Sequence, residues 1–123
     1  MSKIPFFNLS EQTNAIRAEV DEVISGVIDK TAFVLGPGLE TFEEAFASFC
    51  GSKYCAGTSS GTSALHAAMI AFGVGEGDEV ITVAHTFIAT GEAIAMTGAT
   101  PVVVDVLEDT GLVDPAKLEG ARP

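Results

Sequence analysis

Between Tyr54 and Val106 the sequence alternates apolar strand-like runs with alanine-rich helical stretches, joined by turns of a few residues. Tyr54 to Gly57 reads as a short buried strand. Thr58-Ser59-Ser60-Gly61-Thr62 follows it, and Ser63 to Phe72 reads as a helix ended by Gly73. The turn Gly75-Glu76-Gly77-Asp78 introduces a second strand, Glu79 to Val83. Phe87 to Thr97 reads as the next helix, stopped at Gly98, and Pro101 to Val106 as a third strand. Strand, helix, strand with connections this short predicts right-handed crossovers and a mostly parallel sheet covered by helices on both faces, an α/β fold. The loops after the strands of such a sheet share one edge, where ligands bind. That directs attention to Thr58–Thr62, Ala84–Thr86 and Leu107–Thr110.

Upstream of Tyr54 the period is helical. Asn8 followed by Glu11 predicts a capped helix start, and Ile16, Val20, Val23, Val27 and Ile28 lay one apolar stripe along about five turns. Gly36-Pro37-Gly38 interrupts. A second helix then carries Phe42, Ala45, Phe46 and Phe49 on one face, with Glu40, Glu43 and Glu44 outside, and closes at Gly51. Near the other end, Asp114-Pro115 starts a short helix, with Asp as cap and Pro at the first helical position. Three strands make an incomplete sheet, and Arg122-Pro123 continues no alternation. The expectation is therefore a truncated piece of a larger domain, residues 1-123, with no internal boundary.

Charge and composition exclude several functions. Seventeen acidic against six basic residues leave a net charge of −11. Lys3, Arg17, Lys30, Lys53, Lys117 and Arg122 form no cluster, whereas nucleic-acid binding needs a basic stripe. No run approaches the roughly 20 apolar residues of a membrane span, and the N-terminus lacks the apolar core of a secretory signal. Cys50 and Cys55 lie too far apart for a tight metal-binding pair, with only His66 and His85 to join them, so reduced cytosolic thiols are expected and no metal. These features describe an acidic, cytoplasmic protein that binds neither nucleic acid nor membrane.

Three constellations on the ligand edge can carry chemistry. Thr58-Ser59-Ser60-Gly61-Thr62-Ser63 offers free N–H groups at a helix start, hydroxyl donors, and a glycine that lets the backbone approach an anion. The same residue types also cap ordinary helices. No lysine follows in the manner of a Walker loop and there is no G-x-G-x-x-G, which argues against a dinucleotide. Ala84-His85-Thr86-Phe87 places a histidine and a phenylalanine beside that cup; a core contact for Phe87 and a backbone-bonded His85 are the ordinary alternatives. Asp105, Glu108 and Asp109 lie near the end of the third strand, either as metal or base candidates or as solvated charges.

Several runs, in order, resemble the DegT/StrS-type family of sugar aminotransferases. They are Phe33-Val34-Leu35-Gly36-Pro37, Phe42-Glu43-Glu44-Ala45-Phe46 and Ser59-Ser60-Gly61-Thr62-Ser63-Ala64-Leu65-His66. Gly77-Asp78-Glu79-Val80-Ile81-Thr82-Val83-Ala84-His85-Thr86-Phe87-Ile88-Ala89-Thr90 and Gly98-Ala99-Thr100-Pro101-Val102-Val103-Val104-Asp105-Val106 continue the likeness. Val83 stands where the family often has proline, and a tyrosine common in its opening segment falls near Thr13.

The resemblance implies the N-terminal part of the large domain of a fold type I enzyme dependent on pyridoxal 5'-phosphate. Such enzymes work as homodimers in nucleotide-sugar biosynthesis. They move an amino group from glutamate or glutamine to a keto group of a nucleotide-linked sugar. It implies that Gly61 and Thr62 help hold the cofactor phosphate, that Phe87 stacks on the pyridine ring, and that Phe33–Gly38 borders the sugar. The Schiff-base lysine and the aspartate at the pyridinium nitrogen are implied to lie outside this chain, which holds no catalytic residue and is inactive alone. Some relatives are dehydratases or regulators instead. A non-catalytic phosphate-ligand binding domain, complete in itself, is the alternative from another class.

Overall fold

The structure, a computed structural model, describes residues 4–121. The chain forms two compact units, one reaching to Gly57 and the other beginning at Thr58. Lys3, Arg122 and Pro123, named above, lie outside the described residues.

The first unit holds α1 (Ser10–Asp29) and α2 (Pro37–Cys50). Asn8 does accept from the Ser10 amide at 2.9 Å and the Ser10 hydroxyl at 2.6 Å, but helical geometry starts after Leu9. The expected cap thus serves from one position outside the helix, and Glu11 sits in the first turn, where its charge suits the dipole. In α2, Pro37 occupies the first turn and Gly51 ends the helix in the left-handed region at φ 66°, where a side chain is costly. Phe46 stacks on Phe42 at 5.6 Å between ring centres and meets Phe49 at 6.3 Å. This is the aromatic face the sequence predicts, and all three rings remain exposed.

The strand expected at Tyr54–Gly57 is not formed: the run is irregular and pairs with no strand among the described residues. Strand geometry needs a neighbour to take its amides. Here the Gly57 N–H donates instead to the Glu43 carboxylate at 2.6 Å.

The second unit runs α3 (Gly61–Ala71), β1 (Glu79–Val83), α4 (Ala89–Met96), β2 (Thr100–Val104) and α5 (Pro115–Gly120). β1 and β2 are parallel, with Glu79 opposite Thr100 and Val83 opposite Val104. The crossover α4 packs on both strands, and α3 packs on α4. The buried centre is Ala89, Ala93, Ile94, Ala99 and Val104, with Ile94 only 2% exposed. Small alanines let α4 sit close to the sheet. On β2, Val104 is 8% exposed while Val103, on the opposite face, is 58% exposed. Asp114 caps α5 by accepting from the Ala116 amide at 2.9 Å, with Pro115 first in the helix, as the sequence predicts.

The chain's accessible surface is 10131 Å², whereas a folded monomer of 12.7 kDa exposes about 6,200 Å². Even two separate units of half that mass would expose only about 7,500 Å² between them. Large apolar side chains left exposed include Phe33, Phe49, Phe72, Phe87 and Val103.

Candidate functional site at the N-terminus of helix α3

The hydroxyls of the Thr58–Ser63 loop divide into two groups. Ser60, in extended geometry, accepts from the Ser63 amide at 3.1 Å and caps α3. Ser63 Oγ shares hydrogens with Ser59 Oγ at 3.0 Å and Ser60 Oγ at 3.1 Å, and Thr58 Oγ1 donates to the Ser60 carbonyl at 3.2 Å. These groups hold the loop to itself. The amides of Gly61 and Thr62 and the Thr62 hydroxyl, by contrast, bond to none of the described residues. No atom stands within 4 Å of where a Gly61 side chain would begin. Two N–H groups and one hydroxyl at the positive end of an 11-residue helix are thus left without a partner among the described residues, beside open space at Gly61, an arrangement suited to a phosphate without a cation. Helix α3 starts two residues before the sequence predicts, because the Ser60 cap brings Gly61 and Thr62 into its first turn.

Contacts at the other end of the helices fix their direction. A side chain at Gly98 would begin 3.4 Å from the Glu76 amide, and one at Gly75 would begin 3.8 Å from the Thr97 carbonyl. The exits of α3 and α4 therefore touch, and the packed helices run in the same sense. Their N-termini share one end of the unit, the end where β1 and β2 finish. There the turn after β1 carries Phe87, 77% exposed in this chain. It lies just ahead of α4, which begins at Ala89 rather than at Phe87. The Phe87 carbonyl accepts from the Thr90 amide at 3.0 Å, and the Thr86 and Thr90 hydroxyls bond at 3.0 Å, so the turn is braced. Thus Gly61, Thr62 and Phe87 all stand at the strand-end edge of the second unit.

His85 lies beside Gly111, whose side chain would begin 3.8 Å from His85 Cδ2, so the loops after β1 and β2 also meet. The second of these is a small hairpin, with Val106 bridging Val113 and the Leu107 amide donating to the Leu112 carbonyl at 2.8 Å. Asp105 Oδ1 accepts from the Val106 amide at 2.9 Å. Among the described residues no three His, Cys, Asp or Glu side chains gather as metal ligands, and Cys50 and Cys55 are free thiols. None of the described helices is long and apolar enough to cross a membrane.

In the first unit, Phe33–Gly38 borders an open cleft of about 700 Å³ lined by Val23, Val27, Lys30, Phe33, Leu35 and Leu39 among others. Thr31 and Leu35 hold left-handed backbone at φ 51° and 48°. Neither residue type favours that geometry, and no sequence signal marked either one. The Glu43–Gly57 bond was equally invisible: Glu43 reads as an outward-facing helix acid, and only the fold brings Gly57 to it.

The DegT/DnrJ/EryC1/StrS aminotransferase family profile matches residues 14–121. The dTDP-3-amino-3,4,6-trideoxy-alpha-D-glucose transaminase of Streptomyces venezuelae is 43% identical over 119 residues, covering 97% of this chain and 31% of the relative. The crystal structure of DesV from S. venezuelae superposes with a TM-score of 0.93 at 41% identity, over 100% of this chain and 33% of that one. That of NtdA from Bacillus subtilis, with its cofactor PMP bound, gives 0.93 at 35% identity, over 100% of this chain and 28% of that one. The chain spans about a third of the length of the relatives it matches. With the profile covering most of its length and its fold shared with these enzymes, the chain belongs to the DegT/DnrJ/EryC1/StrS aminotransferase family.

Proposed function

We propose that this chain forms the N-terminal portion of the large domain of a sugar aminotransferase dependent on pyridoxal 5'-phosphate, and holds the phosphate half of the cofactor site. The observation that carries the proposal is the unpartnered set of Gly61 N–H, Thr62 N–H and Thr62 hydroxyl at the start of α3, inside the segment matched by the family. These donors fit a phosphate, and the absence of a Gly61 side chain keeps the approach open. The bound cofactor supplies an electron sink that allows an amino group to be moved between carbons. The two amides and the hydroxyl bind and orient the phosphate, aided by the helix dipole. Phe87 presents an exposed apolar ring that excludes water from the face of the pyridine and fixes its plane.

The Schiff-base lysine and the pyridinium aspartate belong, in this reading, outside the chain. Lys53 sits 5.0 Å from the centre of the Tyr54 ring, and Lys117 lies in the last turn of α5; neither is assigned that role. Glutamate or glutamine is the amino donor, a nucleotide-linked keto-sugar the acceptor, and the cytoplasm the setting. The exposed apolar surface is covered by the portion of the enzyme corresponding to the rest of the relatives' length and by a second subunit of a homodimer. The test uses the protein encoded by the whole reading frame containing this chain, incubated with glutamate and a dTDP-linked keto-sugar. Formation of 2-oxoglutarate together with an amino-sugar supports the proposal. Loss of water from the sugar without transfer of nitrogen would indicate a dehydratase, and cofactor binding without turnover a regulatory relative.

A further inference from the structure

The Phe42-Glu43-Glu44-Ala45-Phe46 run takes no part in the contacts just described, yet Glu43 makes an unusual bond. Its carboxylate accepts from the Gly57 amide at 2.6 Å, across 14 residues of sequence. Among the described residues, every other carboxylate hydrogen bond spans at most four positions. Helix α2 also closes tightly on the backbone there. A side chain at Gly57 would begin 2.6 Å from Leu39 Cδ1 and 3.3 Å from Glu43 Oε1. Gly57 is the last residue of the first unit and Thr58 the first of the second. Thr58 in turn donates to the carbonyl of Ser60, the α3 cap. A short charge-assisted bond therefore pins the chain one peptide upstream of the loop that carries the free amides.

We propose that Glu43 is a positioning residue for the cofactor phosphate. By fixing the Gly57 peptide it holds the start of the Thr58–Thr62 loop in place, so that less order has to be imposed when Gly61 and Thr62 meet the anion. This rests on the reading that those two residues bind a phosphate. The experiment titrates the cofactor-free protein of the whole reading frame with pyridoxal 5'-phosphate and, in parallel, with pyridoxal, which lacks the phosphate. Glu43→Ala is expected to raise the Kd for pyridoxal 5'-phosphate about tenfold and leave that for pyridoxal within about twofold. Glu43→Gln keeps a neutral, weaker acceptor and should recover part of the loss, leaving the Kd about threefold above wild type.

Equal weakening toward both ligands, or no weakening toward either, would overturn the proposal, since a residue that merely supports α2 does not distinguish them. Should Glu43→Ala fail to fold, Glu43→Gln carries the test alone. A rise of about threefold confined to the phosphorylated ligand supports positioning, and wild-type affinity contradicts it. A wild-type protein that does not prefer pyridoxal 5'-phosphate over pyridoxal would instead refute the phosphate site itself, and this inference with it.

Discussion

At the scale of single residues, the α3 start separates side chains that hold the loop by hydrogen bonds from Thr62, whose hydroxyl has no partner among the described residues. The two kinds should respond differently to mutation. Ser60 caps the helix, so Ser60→Ala should lower the stability of the cofactor-free protein by about 1 kcal/mol, read by chemical denaturation. Thr62 Oγ1 bonds to none of the described residues, so Thr62→Val should change that stability by less than about 0.5 kcal/mol. A large loss in the second variant would show that the hydroxyl serves the fold. Sequence alone left the Ser/Thr run balanced between helix cap and anion site, because both uses draw on the same residue types. The geometry shows the Ser60 cap and, next to it, amides at Gly61 and Thr62 that bond to none of the described residues, which leaves them available for the proposed anion.

Among the elements, the turn joining α4 to β2 keeps the exits of α3 and α4 together, and so keeps their N-termini at one edge. Gly98 adopts φ 89° with the Glu76 backbone 3.4 Å from where its side chain would begin. Gly98→Ala should therefore cost about 1–2 kcal/mol, measured as a shift of the denaturation midpoint at constant slope; an unchanged midpoint would mean that the turn is looser than this. Glu79–Val83 was fully legible, since a tight turn marks its start and β-branched residues fill it. Tyr54–Gly57 has the composition of a strand but not its structure, because a strand is a property of a pair and composition says nothing about a neighbour. The helix ends of α3 and α4 shifted by one or two residues for local reasons, the Ser60 cap and the braced Thr86–Thr90 turn. The Glu43–Gly57 clamp joins residues far apart in sequence, and no local pattern announces such a bond.

For the molecule as a whole, surface and charge set the expectations. A chain of this mass exposing 10131 Å² leaves apolar faces that associate when nothing covers them. The polypeptide of residues 1–123, produced alone, should elute as oligomers and bind a hydrophobic dye. A monomer with a cooperative melt would favour the self-contained phosphate-ligand domain. With six scattered basic residues and a net charge of −11, the proposed phosphate cup at Gly61 and Thr62 relies on no cation, and a second site for a sugar-linked diphosphate is not expected in this chain. Calorimetric titration of the same polypeptide with a nucleoside diphosphate at physiological salt should show no micromolar binding; such binding would also favour the self-contained domain. The most direct test of the central claim is cofactor retention by the protein of the whole reading frame, followed by absorbance through dialysis. Thr62→Val should weaken binding by roughly 1.5–3 kcal/mol, the worth of a hydrogen bond to a charged group. Phe87→Ala should weaken it by about 1 kcal/mol beyond the lost area. Wild-type retention in both variants would contradict the account.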